Sequence, residues 1–196
     1  AAFDGLNLCW ETLEGIAKHN GPLFGDLAAD MNRLFAGFDL ELHTHASAEA
    51  QVAALSDDIA YNTHDVDDGL RAGLLKFDAL HEIALPARAL ASIDADYPAL
   101  PSDKRAFEVA RRMISELVGD VLSHSRGLLE ASGARTAADI RALPAPVIAF
   151  SPAIYADLQE LRAFLFANLY RHPQVNRRRH KTTQIIKDLF ELYDER

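Results

Sequence analysis

The sequence predicts an all-α protein, and two observations carry the prediction. Apolar residues recur at the three- and four-residue spacing of helices along most of the chain. No stretch of useful length alternates apolar and polar residues as a half-buried strand would. The hydrophobic fraction of 49% is ordinary for a globular chain, and 196 residues suit one domain with a sizeable core. No linker, repeat or low-complexity segment divides the sequence, so residues 1–196 read as a single helical unit with no significant sheet.

The elements follow in order. Leu6 to His19 reads as a helix, with Leu6, Trp10, Leu13 and either Ile16 or Ala17 on its apolar stripe. Asn20-Gly21-Pro22 ends it, because asparagine and glycine suit a left-handed cap and proline cannot continue the helix. Gly25 to Phe38 reads as a weaker helical or irregular segment. Ser47 is expected to cap a long helix, with Glu49 placed against its N-terminal dipole. Wound at 100° per residue, Val52, Leu55, Ile59, Val66 and Leu70 fall on one side of that helix, and Asp57, Tyr61, His64, Asp65 and Asp68 on the other. Ala79 to Ile93 continues through Leu80, Ile83, Leu90 and Ile93, with a break or kink expected at Pro86. Asp94 to Pro101, with Pro98 inside it, reads as a connector. Ser102 is expected to cap a helix to about Leu129, with Phe107, Met113 or Ile114, Leu117, Val121 and Leu128 inward. Thr136-Ala137-Ala138-Asp139 has the form of a capping box. Ser151-Pro152 starts another helix, serine as cap and proline as first residue, with Ile154, Leu158, Leu161, Leu165 and Leu169 inward until Pro173. A last helix is expected from about Thr182, using Ile185, Ile186, Leu189 and Leu192.

Composition narrows the function classes. The net charge of −9 argues against general affinity for nucleic acid. The charge is uneven, since Arg171, Arg177, Arg178, Arg179 and Lys181 form a basic run that reads either as a phosphate or partner grip or as a solvated tail. Nucleic-acid binding through that run is possible but unsupported. No apolar run reaches the roughly 18 residues of a membrane span, and no secretory signal is visible, so the expected location is cytoplasmic. The single cysteine, Cys9, excludes an internal disulfide and is expected to be a small buried hydrophobe. Ala1-Ala2-Phe3-Asp4-Gly5-Leu6 reads as mid-protein, and the chain is expected to be a fragment.

The richest chemistry lies in Asp57 to Asp68. Asp57, Tyr61 and Asp65 stand at i, i+4 and i+8, so they rise along one helix face by about 6 Å per step. A carboxylate there could ligate a divalent ion, and a tyrosine and an aspartate could read a sugar. The alternative is a solvated acidic face. His64-Asp65 has the letters of an HD metal doublet, but adjacent helical residues diverge by about 100°, which suits one ion poorly. His43-Thr44-His45 could chelate or could simply be solvated, and Lys18-His19 could serve only as cations at a helix C-terminus. Trp10, Phe164 and Phe166 read as packing residues. There is no phosphate-binding glycine loop, serine elbow or His-Glu-x-x-His, since His81-Glu82 lacks the second histidine.

Several segments together resemble the C-terminal part of the bacterial deoxyguanosine triphosphate triphosphohydrolases, an HD-domain family. They are Trp10-Glu11-Thr12-Leu13-Glu14-Gly15, Lys18-His19-Asn20-Gly21-Pro22, Glu49-Ala50-Gln51-Val52, Asp57-Asp58-Ile59-Ala60-Tyr61, His64-Asp65-Val66-Asp67-Asp68-Gly69-Leu70 and Leu169-Tyr170 with His172-Pro173. The resemblance implies a helical HD-domain-like architecture, a homo-oligomer, and removal of intact tripolyphosphate from a deoxynucleoside triphosphate. It implies Asp57 as the last aspartate of a His…His-Asp…Asp metal set, for magnesium, manganese or a similar divalent ion. It implies Tyr61 against the deoxyribose and phosphates, Asp65 on the sugar 3′-hydroxyl, and Lys18 at the phosphates with His19 beside it. The family's upstream histidine, His-Asp doublet and catalytic residues have no match in these 196 residues. The expectation is therefore an incomplete ligand set, no catalytic residue in this chain, and an inactive polypeptide on its own. The alternative is a non-catalytic helical module for nucleotide sensing or oligomerisation.

Overall fold

In the computed structural model, residues 5–35 and 37–194 are described. The Ala1–Asp4 stretch that reads as mid-protein lies outside them. Nine α-helices and one π-helical segment are found among the described residues, and no strand, as the periodicity predicts. The chain gathers into two compact units. One takes in the chain up to Ala60 together with Glu116–Ser151, and the other Tyr61–Ser115 together with the chain from Pro152. The boundaries at residues 60 and 115 fall inside helices, so no linker composition marks them.

The first unit contains α1 (Trp10–Lys18), α2 (Gly25–Leu34), the start of α3 (Ala48–Arg71), the end of α6 (Ser102–Ser132) and α7 (Ala137–Arg141). Its α1 is shorter than the periodicity suggests. The helix begins at Trp10, leaving Leu6 and Cys9 exposed. Cys9 is thus not the buried hydrophobe expected, because it precedes the first helical residue and its Sγ lies 3.2 Å from Thr12 Oγ1. Ala17 takes the inward position and Ile16 the outward one. Gly21 ends the turn at φ +103°, with its N–H donating to the Lys18 carbonyl. Ala17, Leu40 and Leu42 form a small core, against which Trp10, Leu13, Met31 and Phe35 pack. Ser47 caps α3 as predicted, its Oγ accepting the Ala50 N–H at 3.3 Å. Buried Gln51 donates to the Ala46 carbonyl and accepts from the Val147 and Ile148 N–H groups, tying the 147–148 segment to α3. Val52, expected inward, is exposed, and Gln51 holds the buried position beside it. Thr136 and Asp139 form the predicted capping box of α7.

The second unit contains the end of α3, α4 (Phe77–Leu80), α5 (Ala84–Asp96), the start of α6, α8 (Pro152–Leu165), the π segment Phe166–Tyr170 and α9 (Pro173–Asp194). Pro86 neither breaks nor kinks a helix here. It sits in the first turn of α5, where no intrahelical partner for its missing N–H exists, and the break falls earlier, at residues 81–83. The exposed N-terminus of α5 is closed by Glu160 of α8, whose carboxylate accepts the Ala84 N–H at 2.9 Å. Leu85, Leu90 and Ile93 of α5, Val109 and Met113 of α6, and Leu158, Leu161 and Leu165 of α8 are fully buried. Phe107, expected inward, is exposed, since Ala106 and Val109 take the inward positions beside it. The α6 helix starts at Ser102 itself and runs to Ser132. The last helix starts at Pro173, earlier than Thr182, so Arg177, Arg178 and Arg179 lie on a helix and not in a tail. Proline at its first position suits a helix start, and arginine has good helix propensity. Phe166 is exposed, with the Arg171 guanidinium 4.5 Å from its ring centroid.

At Gly69 the second unit packs closely around the backbone. A Cβ built there would lie 2.6 Å from Leu75 Cδ1, 2.7 Å from its Cγ and 3.4 Å from Leu169 Cδ1. Leu75 is buried, so a shift of its side chain would disturb the packing around it. Gly69→Ala is therefore expected to lower stability by about 1–3 kcal/mol. A denaturant titration with an unchanged midpoint would contradict this packing.

Candidate functional site

A cleft of about 840 Å³ opens in the first unit, lined by residues of α1, the start of α3 and α7. Small residues form much of it, among them Gly15, Ala50, Ala53 and Ala54. They let α1 and α3 approach closely: a Cβ on Gly15 would stand 3.2 Å from that of Ala50. His19 and Asp57 line the cleft with Glu11, Glu49 and Arg141. Asp57 is exposed, so its carboxylate is open to a ligand.

One buried charge cluster braces this unit. Glu14 has no exposed side-chain surface, and Arg141 takes both its oxygens, Nε to Oε1 at 2.7 Å and Nη2 to Oε2 at 2.8 Å. Lys18 Nζ lies 2.8 Å from Oε1. Burial alone would raise the Glu14 carboxyl, but the hydrogen bonds from Arg141 and Lys18, with their charges, outweigh it and hold the group below the usual carboxylate range. The Lys18 ammonium also donates to Thr44 Oγ1 at 2.9 Å and to the carbonyls of His45 and Glu41 at 3.1 and 3.3 Å. It is 1% exposed, so a phosphate could reach it only if one of these partners let go. Thr44 and the His45 backbone thus serve Lys18. His43 and His45 belong to no group of three or more His, Cys, Asp or Glu side chains that could hold an ion among the described residues.

His19 differs from its neighbour by being exposed. Its Nδ1 lies 2.8 Å from the Ile16 carbonyl, which can only accept, and its Nε2 lies 3.0 Å from the Asn20 amide nitrogen, which donates.

Tyr61 and Asp65 lie in the second unit, with Tyr61 exposed and Asp65 half-buried. The Tyr170 hydroxyl donates to Asp65 Oδ2. The Tyr61 and Tyr170 rings stand 6.3 Å apart between centroids, tilted by 47°. Burial, then the hydrogen bond to Asp65, pushes the Tyr170 phenol far above its ordinary value, so it remains a donor. Tyr170 ends the π segment, one turn of widened helix of a kind often found at functional positions. His64, on the same helix, is exposed and joins no metal cluster.

Three functional side chains escape the sequence reading. Glu14 could have been suspected from its i, i+4 relation to Lys18. Arg141 and Tyr170 reach partners 127 and 105 residues away, and no local signal announces such contacts.

Comparison with known proteins adds relatives of the whole chain. A deoxyguanosinetriphosphate triphosphohydrolase-like protein of Ruegeria sp. (strain TM1040) is 51% identical over 195 residues, covering 100% of this chain and 51% of the relative. Proteins of the same description from Cereibacter sphaeroides (strain ATCC 17025 / ATH 2.4.3) and Jannaschia sp. (strain CCS1) are each 49% identical, over 98% and 100% of this chain and 51% and 49% of theirs. This chain is a homologue of the deoxyguanosinetriphosphate triphosphohydrolase-like proteins. It spans about half the length of the curated relatives it matches. Residues 148–196 match the family described as "Phosphohydrolase-associated domain", which takes in α8, the π segment and α9. A divalent ion is the cofactor implied for such enzymes. Asp57 is a suitable oxygen donor, but among the described residues no group of three or more His, Cys, Asp or Glu side chains could hold an ion.

The buried cluster gives a pH signature. Glu14 is depressed in the fold, so its contribution is fully present above its unfolded value near 4.5 and is lost as pH falls through the lower folded value. Lys18→Met is expected to cost about 3 kcal/mol and to flatten the acid limb of the stability curve. Urea titrations from pH 7 to pH 3 check both, and a loss under about 0.5 kcal/mol, the range of surface changes, would overturn the bracing role.

Proposed function

We propose that this chain is part of a metal-dependent hydrolase that cleaves a deoxynucleoside triphosphate, dGTP or a relative, into deoxynucleoside and tripolyphosphate. The observation that supports it is the 51% identity, over the whole chain, to a deoxyguanosinetriphosphate triphosphohydrolase-like protein. In this reading the enzyme is a cytoplasmic homo-oligomer. Among the described residues, no helix is long and apolar enough to cross a membrane.

The residues divide the work as follows. Asp57 gives one carboxylate to a magnesium, manganese or similar ion whose other ligands lie outside residues 1–196. Tyr61 lies against the deoxyribose, and its ring fills the space that a 2′-hydroxyl would need. Asp65 accepts from the 3′-hydroxyl. His19, open on the cleft, offers its ring to a substrate once Asn20 yields Nε2. Lys18 is tied to Glu14 and to Thr44 and the neighbouring carbonyls, so it acts near the phosphates chiefly by fixing the end of α1. Catalytic ions take several protein ligands, so one carboxylate does not retain one. The 196-residue chain therefore neither binds an ion tightly nor hydrolyses nucleotide by itself.

A second reading, an oligomerisation module, is favoured by one feature. The α9 helix has no buried residue and leaves Ile185, Ile186, Leu189, Phe190, Leu192 and Tyr193 exposed.

Incubating the chain with manganese or magnesium and each deoxynucleoside triphosphate is expected to release no tripolyphosphate, and robust release would overturn the division of labour. In the full-length protein, Asp57→Ala should reduce turnover by more than about 100-fold, beyond the loss typical of an outer-shell partner. A fully active variant would remove Asp57 from the metal set. Tyr61→Ala should relax the preference for deoxyribose over ribose by about 10-fold or more, the scale of discrimination that pocket shape supplies, and unchanged selectivity would refute its role.

A further inference from the structure

We infer that Arg141 is a phosphate-binding residue: the free edge of its guanidinium takes an oxygen of the substrate's triphosphate in the cleft between α1, α3 and α7, a contact closed to buried Lys18. The inference rests on the proposed function, in which that cleft receives a deoxynucleoside triphosphate.

A triphosphate is held by cations that can reach it. Lys18 is 1% exposed, and its ammonium is shared among Glu14, Thr44 and two carbonyls. Arg141 grips the same carboxylate and also lines the cleft, with 15% of its side-chain surface exposed. A guanidinium donates from three nitrogens, and only Nε and Nη2 are spent on Glu14. Among the described residues Nη1 has no hydrogen-bond partner, yet it is not one of the buried polar atoms that lack one. Nη1 therefore reaches solvent.

The charge balance fits this use. One carboxylate faces two cations, so the cluster keeps a net positive charge. Lys18 is its buried cation and Arg141 its accessible one, so the surplus is offered at Nη1. Glu14 is then a positioning residue, which turns the free edge of the guanidinium away from itself. Two further contacts hold Arg141 still. The Trp10 ring centroid lies 4.9 Å from the guanidinium carbon, and the His45 N–H donates to the Arg141 carbonyl at 3.1 Å. A side chain fixed in this way has little freedom left to lose on binding, and its planar fork suits phosphate oxygens.

The test uses the full-length protein turning over dGTP, with inorganic tripolyphosphate and deoxyguanosine, the two products of the proposed reaction, as inhibitors. R141K keeps a cation on Glu14 and removes the free edge. The expected result is inhibition by tripolyphosphate about 10-fold weaker, the scale of one hydrogen bond to a charged group, with inhibition by deoxyguanosine unchanged. Unchanged inhibition by tripolyphosphate would overturn the inference, and so would equal losses for both products, which is what a purely structural role produces. If R141K is unfolded or inactive, the wild-type protein decides the matter. It is treated with phenylglyoxal, an arginine reagent, and the modified residues are mapped by mass spectrometry. Saturating tripolyphosphate should protect Arg141 and deoxyguanosine should not. An Arg141 left unprotected by tripolyphosphate, or never reached by the reagent, refutes the assignment. A wild-type protein that releases no tripolyphosphate from dGTP brings down the proposed function as well. Release by the wild type, with R141K inhibited as before, brings down only the role of Arg141.

Discussion

Glu14 carries a negative charge on a side chain with no exposed surface, and an isolated charge there would cost several kcal/mol. It remains ionised because Arg141 grips both oxygens and Lys18 one of them. Each cation then brings a further element with it. Arg141 ends α7, so the grip fixes α7 to α1 across 127 residues of sequence. Lys18 gathers the 41–45 segment through Thr44 and two carbonyls, and Glu41 accepts a φ of +48° to present one of them. Trp10 lies 4.9 Å from the Arg141 guanidinium and donates to the Asp39 carbonyl, closing the same group of contacts. Apolar residues of similar volume could give equal stability, but they would not fix direction. The cleft that presents His19 and Asp57 has α1 and α7 among its walls, and so depends on this cluster.

The second unit solves a different problem. Its core is conventionally apolar, with Leu85, Leu90, Ile93, Met113, Leu158, Leu161 and Leu165 fully buried. That core leaves α3 free to be polar on its outer side, where Tyr61 and Asp65 stand. The π segment matters here because a widened turn changes which way the following residues point. Leu169 still turns inward, while Tyr170 meets Asp65 and Tyr61. Arg179 of α9 donates to the Tyr170 carbonyl at 3.3 Å and joins the basic run to the same turn. Gly69 provides the room for Leu75 and Leu169 to pack beneath.

The elements legible in sequence were those set by local physics. The Ser47 cap, the Thr136–Asp139 capping box, the Pro152 start and the Gly21 stop all depend on residues within a few positions of one another. The misreadings came where a local rule meets its context. Proline breaks a helix interior, but at residue 86 it falls in a first turn, which has no bond for it to remove. The Arg177–Arg179 run has the charge of a solvated tail, yet the helix propensity of arginine lets it sit on α9. Val52 and Phe107 fit an apolar stripe yet lie exposed, since periodicity gives a face and not its edges.

The sequence by itself determined the helical class, most helix starts and stops, and the turn-by-turn order of Asp57, Tyr61 and Asp65 along one helix. All of these follow from spacing along a continuous backbone. Only the tertiary structure decided that Lys18 points inward while His19 opens on a cleft, that Arg141 neutralises Glu14, and that Tyr170 caps Asp65. The last two pairings join residues more than a hundred positions apart, and chain folding, not sequence proximity, sets which charged and hydroxyl groups meet.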